Sequence, residues 1–127
     1  MKVDHIAIYV RNLEVVRQFF IDYFGAVSNE MYHNPRTGLR SYFLSFGSGC
    51  RVEIMARPEV CEVEFDEYRA GFIHLSFKAG GREMVDALAA RLKADGYEVL
   101  SGPRTTGDGF YESCVKAVEG LMIEICE

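Results

Sequence analysis

The sequence predicts an α+β protein built from one β-α-β-β-β module written twice. Three observations carry this. The order strand, helix, strand, strand, strand is legible before residue 57 and again after residue 70. DHIAIYV near the start matches IHLSFKA in the middle, and RVEIMAR closing the first half matches MIEICE closing the second. His5 and His74 lie 69 residues apart (74 − 5), and Glu53 and Glu124 lie 71 apart (124 − 53), near-equal offsets that fit a duplicated module.

Each element has its own signal. Val3 to Val10 alternates, with Ile6, Ile8 and Val10 on one parity and His5, Ala7 and Tyr9 on the other. Asn12 is a plausible N-cap with Glu14 near the positive end of the helix dipole. Leu13, Val16, Phe20 and Phe24 then recur at helical spacing until Gly25 stops them. Strands are expected at Ala26 to Tyr32, Leu39 to Phe46 and Arg51 to Met55, parted by the turns HNPRTG and GSG. An acidic connection over 58–69 leads to the second copy. There Phe72 to Lys78 reads as a strand. Met84, Val85, Leu88 and Leu92 form a helical face that ends at Gly96. Strands over Tyr97 to Ser101, Phe110 to Val115 and Leu121 to Ile125 complete the order.

The 127 residues suffice for a single domain, with module one at 1–57 and module two at 70–127. Neither module of about 60 residues buries a large core alone, so the two should pack together. With 49% hydrophobic residues, a packed interior is expected. Fourteen basic residues against nineteen acidic ones give −5 and no basic stripe, which argues against a nucleic-acid partner. No apolar run approaches the ~20 residues of a membrane span. MKVDHIAIYV has no signal-peptide layout, because Asp4 and His5 interrupt it. Cys50, Cys61, Cys114 and Cys126 form no C-x-x-C pair and are expected as reduced structural thiols in a cytoplasmic protein.

Strand parity carries the chemistry. His5 opposes Ile6 and Ile8; Glu53 opposes Val52 and Ile54; His74 opposes Ile73 and Leu75; Glu124 opposes Ile123 and Ile125. Each strand thus pairs one apolar face, suited to lie under a helix, with one face carrying His or Glu. Any one of these residues alone would read as an ordinary solvated or structural side chain. The four at duplicated positions would, on one shared cavity, offer two imidazoles and two carboxylates to a divalent first-row ion. Without a cation, two carboxylates so placed would repel. His33, beside HNPRTG, lacks this support and reads as a solvated loop residue.

Four segments resemble the vicinal oxygen chelate superfamily, and within it the glyoxalase I-like (lactoylglutathione lyase-like) proteins. They are DHIAIYVRNLEVVRQFFIDYFGA, YFLSFGSGCRVEIMARPEV, GFIHLSFKAGGREMVDAL and SGPRTTGDGFYESCVKAVEGLMIEI, together spanning nearly the whole chain. The resemblance implies two paired βαβββ modules forming a cupped mixed sheet, the glyoxalase/bleomycin-resistance/dioxygenase fold. It implies one divalent metal, Ni²⁺ or Zn²⁺ foremost and Co²⁺, Mn²⁺ or Fe²⁺ after them, held by His5, Glu53, His74 and Glu124. The implied reaction is that of a lyase or isomerase on a small α-oxo or thiol-adduct substrate. A proton moves between neighbouring carbons through a metal-bound enediolate, with Glu124 as first choice for the proton shuttle and Glu53 as second. A homodimer is implied too.

Several features qualify the match. Extradiol dioxygenases and fosfomycin-resistance thiol transferases typically use His, His and Glu, and methylmalonyl-CoA epimerase commonly has Gln where Glu53 stands. Small glutathione-using bacterial relatives carry Arg where Tyr9 stands, and an Asn-containing stretch where this chain has ARPEV. The family's DPDG-type tail is AVEG here, Ala117 to Gly120. An epimerase or thiol transferase of the same superfamily, or a small-molecule-binding protein with a non-catalytic metal, is the alternative. Tyr9, Ala7 and Ser76 share strand faces with the histidines. Tyr42, Arg104, Asp108, Tyr111 and Glu112 could shape a polar pocket, and GPRTTGDGFYES reads equally as a tight turn or a lid.

Overall fold

The computed structural model describes residues 1–62 and 68–127, so part of the expected acidic connection, 63–67, lies outside the described residues. The chain divides into two compact units, Met1–Glu64 and Phe65–Glu127.

The first unit runs β1 (His5–Tyr9), α1 (Leu13–Phe24), β2 (Val27–Ser28), β3 (Tyr32–Asn34), β4 (Leu39–Ser45) and β5 (Arg51–Ala56). Its sheet has the order β1-β5-β4-β2, with β3 also on β4. β1 and β5 are parallel and the other pairings antiparallel. The second unit runs β6 (Leu75–Lys78), α2 (Arg82–Ala94), β7 (Glu98–Thr105), β8 (Tyr111–Lys116), a 3-10 turn (Val118–Gly120) and β9 (Met122–Cys126). Its order, β6-β9-β8-β7, repeats the plan, again with one parallel pair, β6 with β9.

Local chemistry sets the boundaries. The Asn12 side chain accepts from the Val15 N–H, as an N-cap should. Gly25, at φ 63°, closes α1 with its N–H on the Ile21 carbonyl. In the first unit Val16, Phe20, Leu44 and Ile54 are fully buried; in the second Val85, Leu92, Val115, Ile123 and Ile125 are. These are the helix stripes and the apolar strand parity, so each sheet has a helix-covered face and an opposite face that carries the polar residues. No helix among the described residues is long and apolar enough to cross a membrane.

Several expectations change. The strand expected over Phe72 to Lys78 is shorter, β6 at Leu75–Lys78, so His74 lies just before it rather than on it. The strand expected over Ala26 to Tyr32 is two short pieces, β2 and β3, both pairing with β4. His33 stands on β3, exposed and opposite Arg40, rather than in a loop. GPRTTGDGFYES is mostly strand: β7 continues to Thr105 through two register shifts. Only the segment from Thr106 to Phe110 turns, held by the Phe110 N–H on Thr106 Oγ1 at 3.0 Å. The tight-turn reading therefore describes it. Gly102 is required in this hairpin: it sits at φ 84°, and a Cβ there would strike the Glu112 carbonyl oxygen.

Tyr42 belongs to the helix side of its sheet, not to a substrate pocket. Its ring is buried, its hydroxyl donates to Glu14 Oε1 at 2.7 Å, and the Arg17 guanidinium lies 4.8 Å from the ring centroid. The hydrogen bond to the Glu14 carboxylate, with burial second, raises the phenol above its ordinary value. A raised phenol contributes stability that is complete below its unfolded value of about 10 and is lost as pH rises through the folded value. We expect Tyr42→Phe to cost about 0.5–1.5 kcal/mol at pH 7, the net worth of one such bond. Denaturant unfolding should show that gap close at strongly alkaline pH; a gap independent of pH would contradict this reading of the bond.

Candidate functional site

The parallel register fixes where the four expected residues lie. In the first unit Ala7 stands opposite Glu53, which puts His5 and Glu53 on the face away from α1. His5 Nε2 and Glu53 Oε2 are 3.9 Å apart. In the second unit Ser76 stands opposite Glu124, and His74 directly precedes β6. His74 Nε2 and Glu124 Oε2 are 3.8 Å apart. Exposure repeats as well: the histidine side chains are 39% and 37% exposed, the glutamates 16% and 21%. The duplication read in the sequence is thus a duplication of geometry.

Neither pair is hydrogen-bonded, since 3.8–3.9 Å exceeds the range of a hydrogen bond. Two ligands each about 2.1 Å from one ion can be up to about 4.2 Å apart, so each gap fits a nitrogen and an oxygen facing one divalent ion. Imidazole and carboxylate are suitable donors for such an ion. Among the described residues no three His, Cys, Asp or Glu side chains form a metal-sized group, so each unit supplies a pair and not a closed cage.

The surroundings of the pairs differ. Beside His5, Asp4 Oδ2 lies 2.9 Å from Nδ1 and also receives Arg51 Nη2 at 2.6 Å. The His5 bond and then Arg51 hold the Asp4 carboxyl below its ordinary value. Phe43, opposite Glu53 in the ladder, meets the His5 ring edge-on with centroids 5.2 Å apart. Beside Glu124, Ser76 Oγ donates to Oε1 at 2.6 Å. Cys114 pairs with Glu124 across the ladder, Cys126 Sγ lies 3.6 Å from Ser76 Oγ, and Glu112 occupies the same face. Burial and then the charge of Glu124 raise both Glu112 and the Cys114 thiol. Arg104 Nη2, 3.6 Å from Glu112 Oε1, offsets part of that charge.

The other expected pocket residues divide. Arg104 and Glu112 stand with Glu124. Tyr111 turns to the helix, donating to Asp86 Oδ1 of α2 at 2.7 Å, and Asp108 serves the turn by accepting from Thr106 Oγ1. The cysteines, expected as structural thiols, are all free; Cys50 and Cys61 are exposed, and Cys114 and Cys126 share the Glu124 face. Sequence reasoning missed Asp4, Arg51 and Phe43 as neighbours of His5. The adjacent Asp-His pair was the signal for the first; the other two need the register.

The sequence also hid a cavity of about 530 Å³ in the first unit, lined by Tyr9, Arg57, Glu59, Val60 and Cys61. Tyr9 continues the His5 face and Arg57 the Glu53 parity. Arg57 Nε is buried without a hydrogen bond; Glu59 Oε2, 3.3 Å away, is an ion-pair neighbour whose angle does not complete one.

Comparison with known proteins agrees with this architecture. YqjT of Bacillus subtilis (strain 168), an uncharacterized protein, is 27% identical over 128 residues, covering 95% of this chain and 94% of YqjT. The crystal structure of a glyoxalase family protein from Bacillus cereus superposes with a TM-score of 0.83 at 15% identity, covering all of this chain and 93% of that one. The trypanothione-dependent glyoxalase I of Leishmania major gives 0.80 at 19% identity, covering all of this chain and 86% of that one. At such identities these structures establish the shared fold. The family model for the Glyoxalase/Bleomycin resistance protein/Dioxygenase superfamily matches residues 2–125, and the chain belongs to that superfamily.

Proposed function

We propose that this protein is a metal-dependent lyase or isomerase of the glyoxalase I type, acting on a small α-oxo or thiol-adduct substrate. One observation carries the reading: two His–Glu pairs at duplicated positions have the same ligand spacing, 3.9 and 3.8 Å, and similar exposure. In this reading His5, Glu53, His74 and Glu124 hold one divalent ion, Ni²⁺ or Zn²⁺ foremost. Bound there, such an ion would polarise neighbouring substrate oxygens and stabilise developing negative charge.

The chain's own residues would do the rest. Glu124 is the proton carrier: Ser76 holds Oε1 at 2.6 Å, and Oε2 is the oxygen facing His74. A carboxylate so placed can take a proton from one substrate carbon and return it to the next. Glu53, with Phe43 as its ladder neighbour, has an apolar flank and serves as ligand. The cavity at Tyr9 and Arg57 would receive the distal part of the substrate, Tyr9 offering an aromatic wall and Arg57 a cation for an acidic group.

The direct test is turnover of hemithioacetals of several thiols by Ni²⁺- or Zn²⁺-reconstituted protein, with fosfomycin and methylmalonyl-CoA as contrasts. Turnover of a hemithioacetal is expected, and activity only on a contrast substrate would move the protein to the thiol-transferase or epimerase branch. Glu124→Gln should keep part of the metal affinity and lose about 10²–10⁴-fold in turnover. Glu53→Gln should lower metal affinity and activity together, with excess metal restoring the rate. Full activity of Glu124→Gln at saturating metal would reduce Glu124 to a ligand.

We also propose a homodimer. β1 and β6 are end strands of their sheets, and end strands are the kind of edge that a second chain pairs with or covers. Sedimentation at micromolar concentration should give twice the chain mass of 14.4 kDa; a monomer would contradict the proposal.

A further inference from the structure

The two His–Glu pairs match in spacing, but their supports do not. In the first unit four side chains close a ring. Asp4 Oδ2 contacts His5 Nδ1 at 2.9 Å and Arg51 Nη2 at 2.6 Å. The Arg51 guanidinium lies 4.4 Å from the Phe43 centroid, and Phe43 meets His5 edge-on at 85°. The second unit has none of these side chains at the equivalent places. Ile73 precedes His74 as Asp4 precedes His5. Met122 stands two before Glu124 as Arg51 stands two before Glu53. Cys114 pairs with Glu124 as Phe43 pairs with Glu53.

A carboxylate only accepts, so the His5 nitrogen at Asp4 carries the hydrogen. In the neutral ring the lone pair is then on Nε2, the atom that faces Glu53. Asp4 is 66% exposed, and exposed ion pairs add little to stability. Its contacts therefore act on the ring's orientation and hydrogen placement far more than on folding.

We infer that Asp4 is a positioning residue that locks His5 in the Nδ1–H form, making His5–Glu53 the pre-set half of the divalent-cation site and His74–Glu124 the half that adjusts. This rests on the metal reading above. A carboxylate behind a ligating imidazole fixes its tautomer and raises its basicity, and losing such a support typically costs 10–100-fold in metal affinity.

The test uses the full chain, its Asp4→Ala and Asp4→Asn variants, and Zn²⁺ as probe. In metal-free protein, ¹⁵N-edited NMR of the imidazoles should show His5 as Nδ1–H in the wild type. Asp4→Ala should shift it toward Nε2–H and leave the His74 ring unchanged. Asp4→Asn, whose amide oxygen still accepts, should keep the wild-type form. Calorimetric titration should show Zn²⁺ affinity falling about 10–100-fold in Asp4→Ala and less in Asp4→Asn, with the thermal midpoint near wild type in both. An Asp4→Ala variant that retains the Nδ1–H form, or that loses the form and keeps wild-type Zn²⁺ affinity, overturns the inference. A wild-type chain that takes up no Zn²⁺ overturns the metal reading itself, whichever tautomer His5 shows.

Discussion

The parallel register of β1 on β5, repeated by β6 on β9, is the constraint on which the rest depends. It sets Ala7 against Glu53 and Ser76 against Glu124, and so brings each histidine and glutamate within 4 Å on one sheet face. A slip of one residue would exchange the faces of a whole strand. His5 would then enter the helix-covered core, while Ile6 and Ile8 would go to the polar face. The alternation of Val52, Ile54 and Ala56 with Arg51, Glu53 and Met55 opposes that slip, because only one parity can be buried under α1. Core packing and the functional face are therefore two consequences of one hydrophobic pattern.

Duplication supplies a pair twice, and divergence then gives each copy its own surroundings. The His5 pair sits among Asp4, Arg51 and Phe43, which hold the ring on two sides. The Glu124 pair sits among Ser76, Glu112, Cys114 and Cys126, a polar group in which a carboxylate has a hydroxyl donor and a second carboxylate as neighbours. In the proposed reading the first pair supplies the fixed ligands and the second the carboxylate that carries the proton, a division that suits a reaction needing both.

The repeat, the helices and the chemistry-bearing parity were legible because they depend on periods of 2 and 3.6, which the sequence displays directly. Asn12 and Gly25 gave the bounds of α1 for the same reason. What depends on pairing between distant strands was not legible. Tyr42 and Tyr111 read as pocket residues, but their hydroxyls reach Glu14 and Asp86 on the helices, a choice made by tertiary contact. The extension of β7 to Thr105 was hidden by Gly102 and Pro103, residues that ordinarily end strands and here sit at register shifts. Arg51 and Phe43 became visible as neighbours of His5 only once β5 was set between β1 and β4.

The central claim is that His5, Glu53, His74 and Glu124 serve one ion. The most direct measurement is anomalous diffraction at the metal edge from crystals of protein loaded with one equivalent of Ni²⁺ or Zn²⁺. The account predicts a single strong peak with two imidazole nitrogens and two carboxylate oxygens around it, each roughly 2.0–2.2 Å away for a zinc-sized ion. Two separate peaks, one at each His–Glu pair, or a peak whose ligands exclude any of the four, would contradict it.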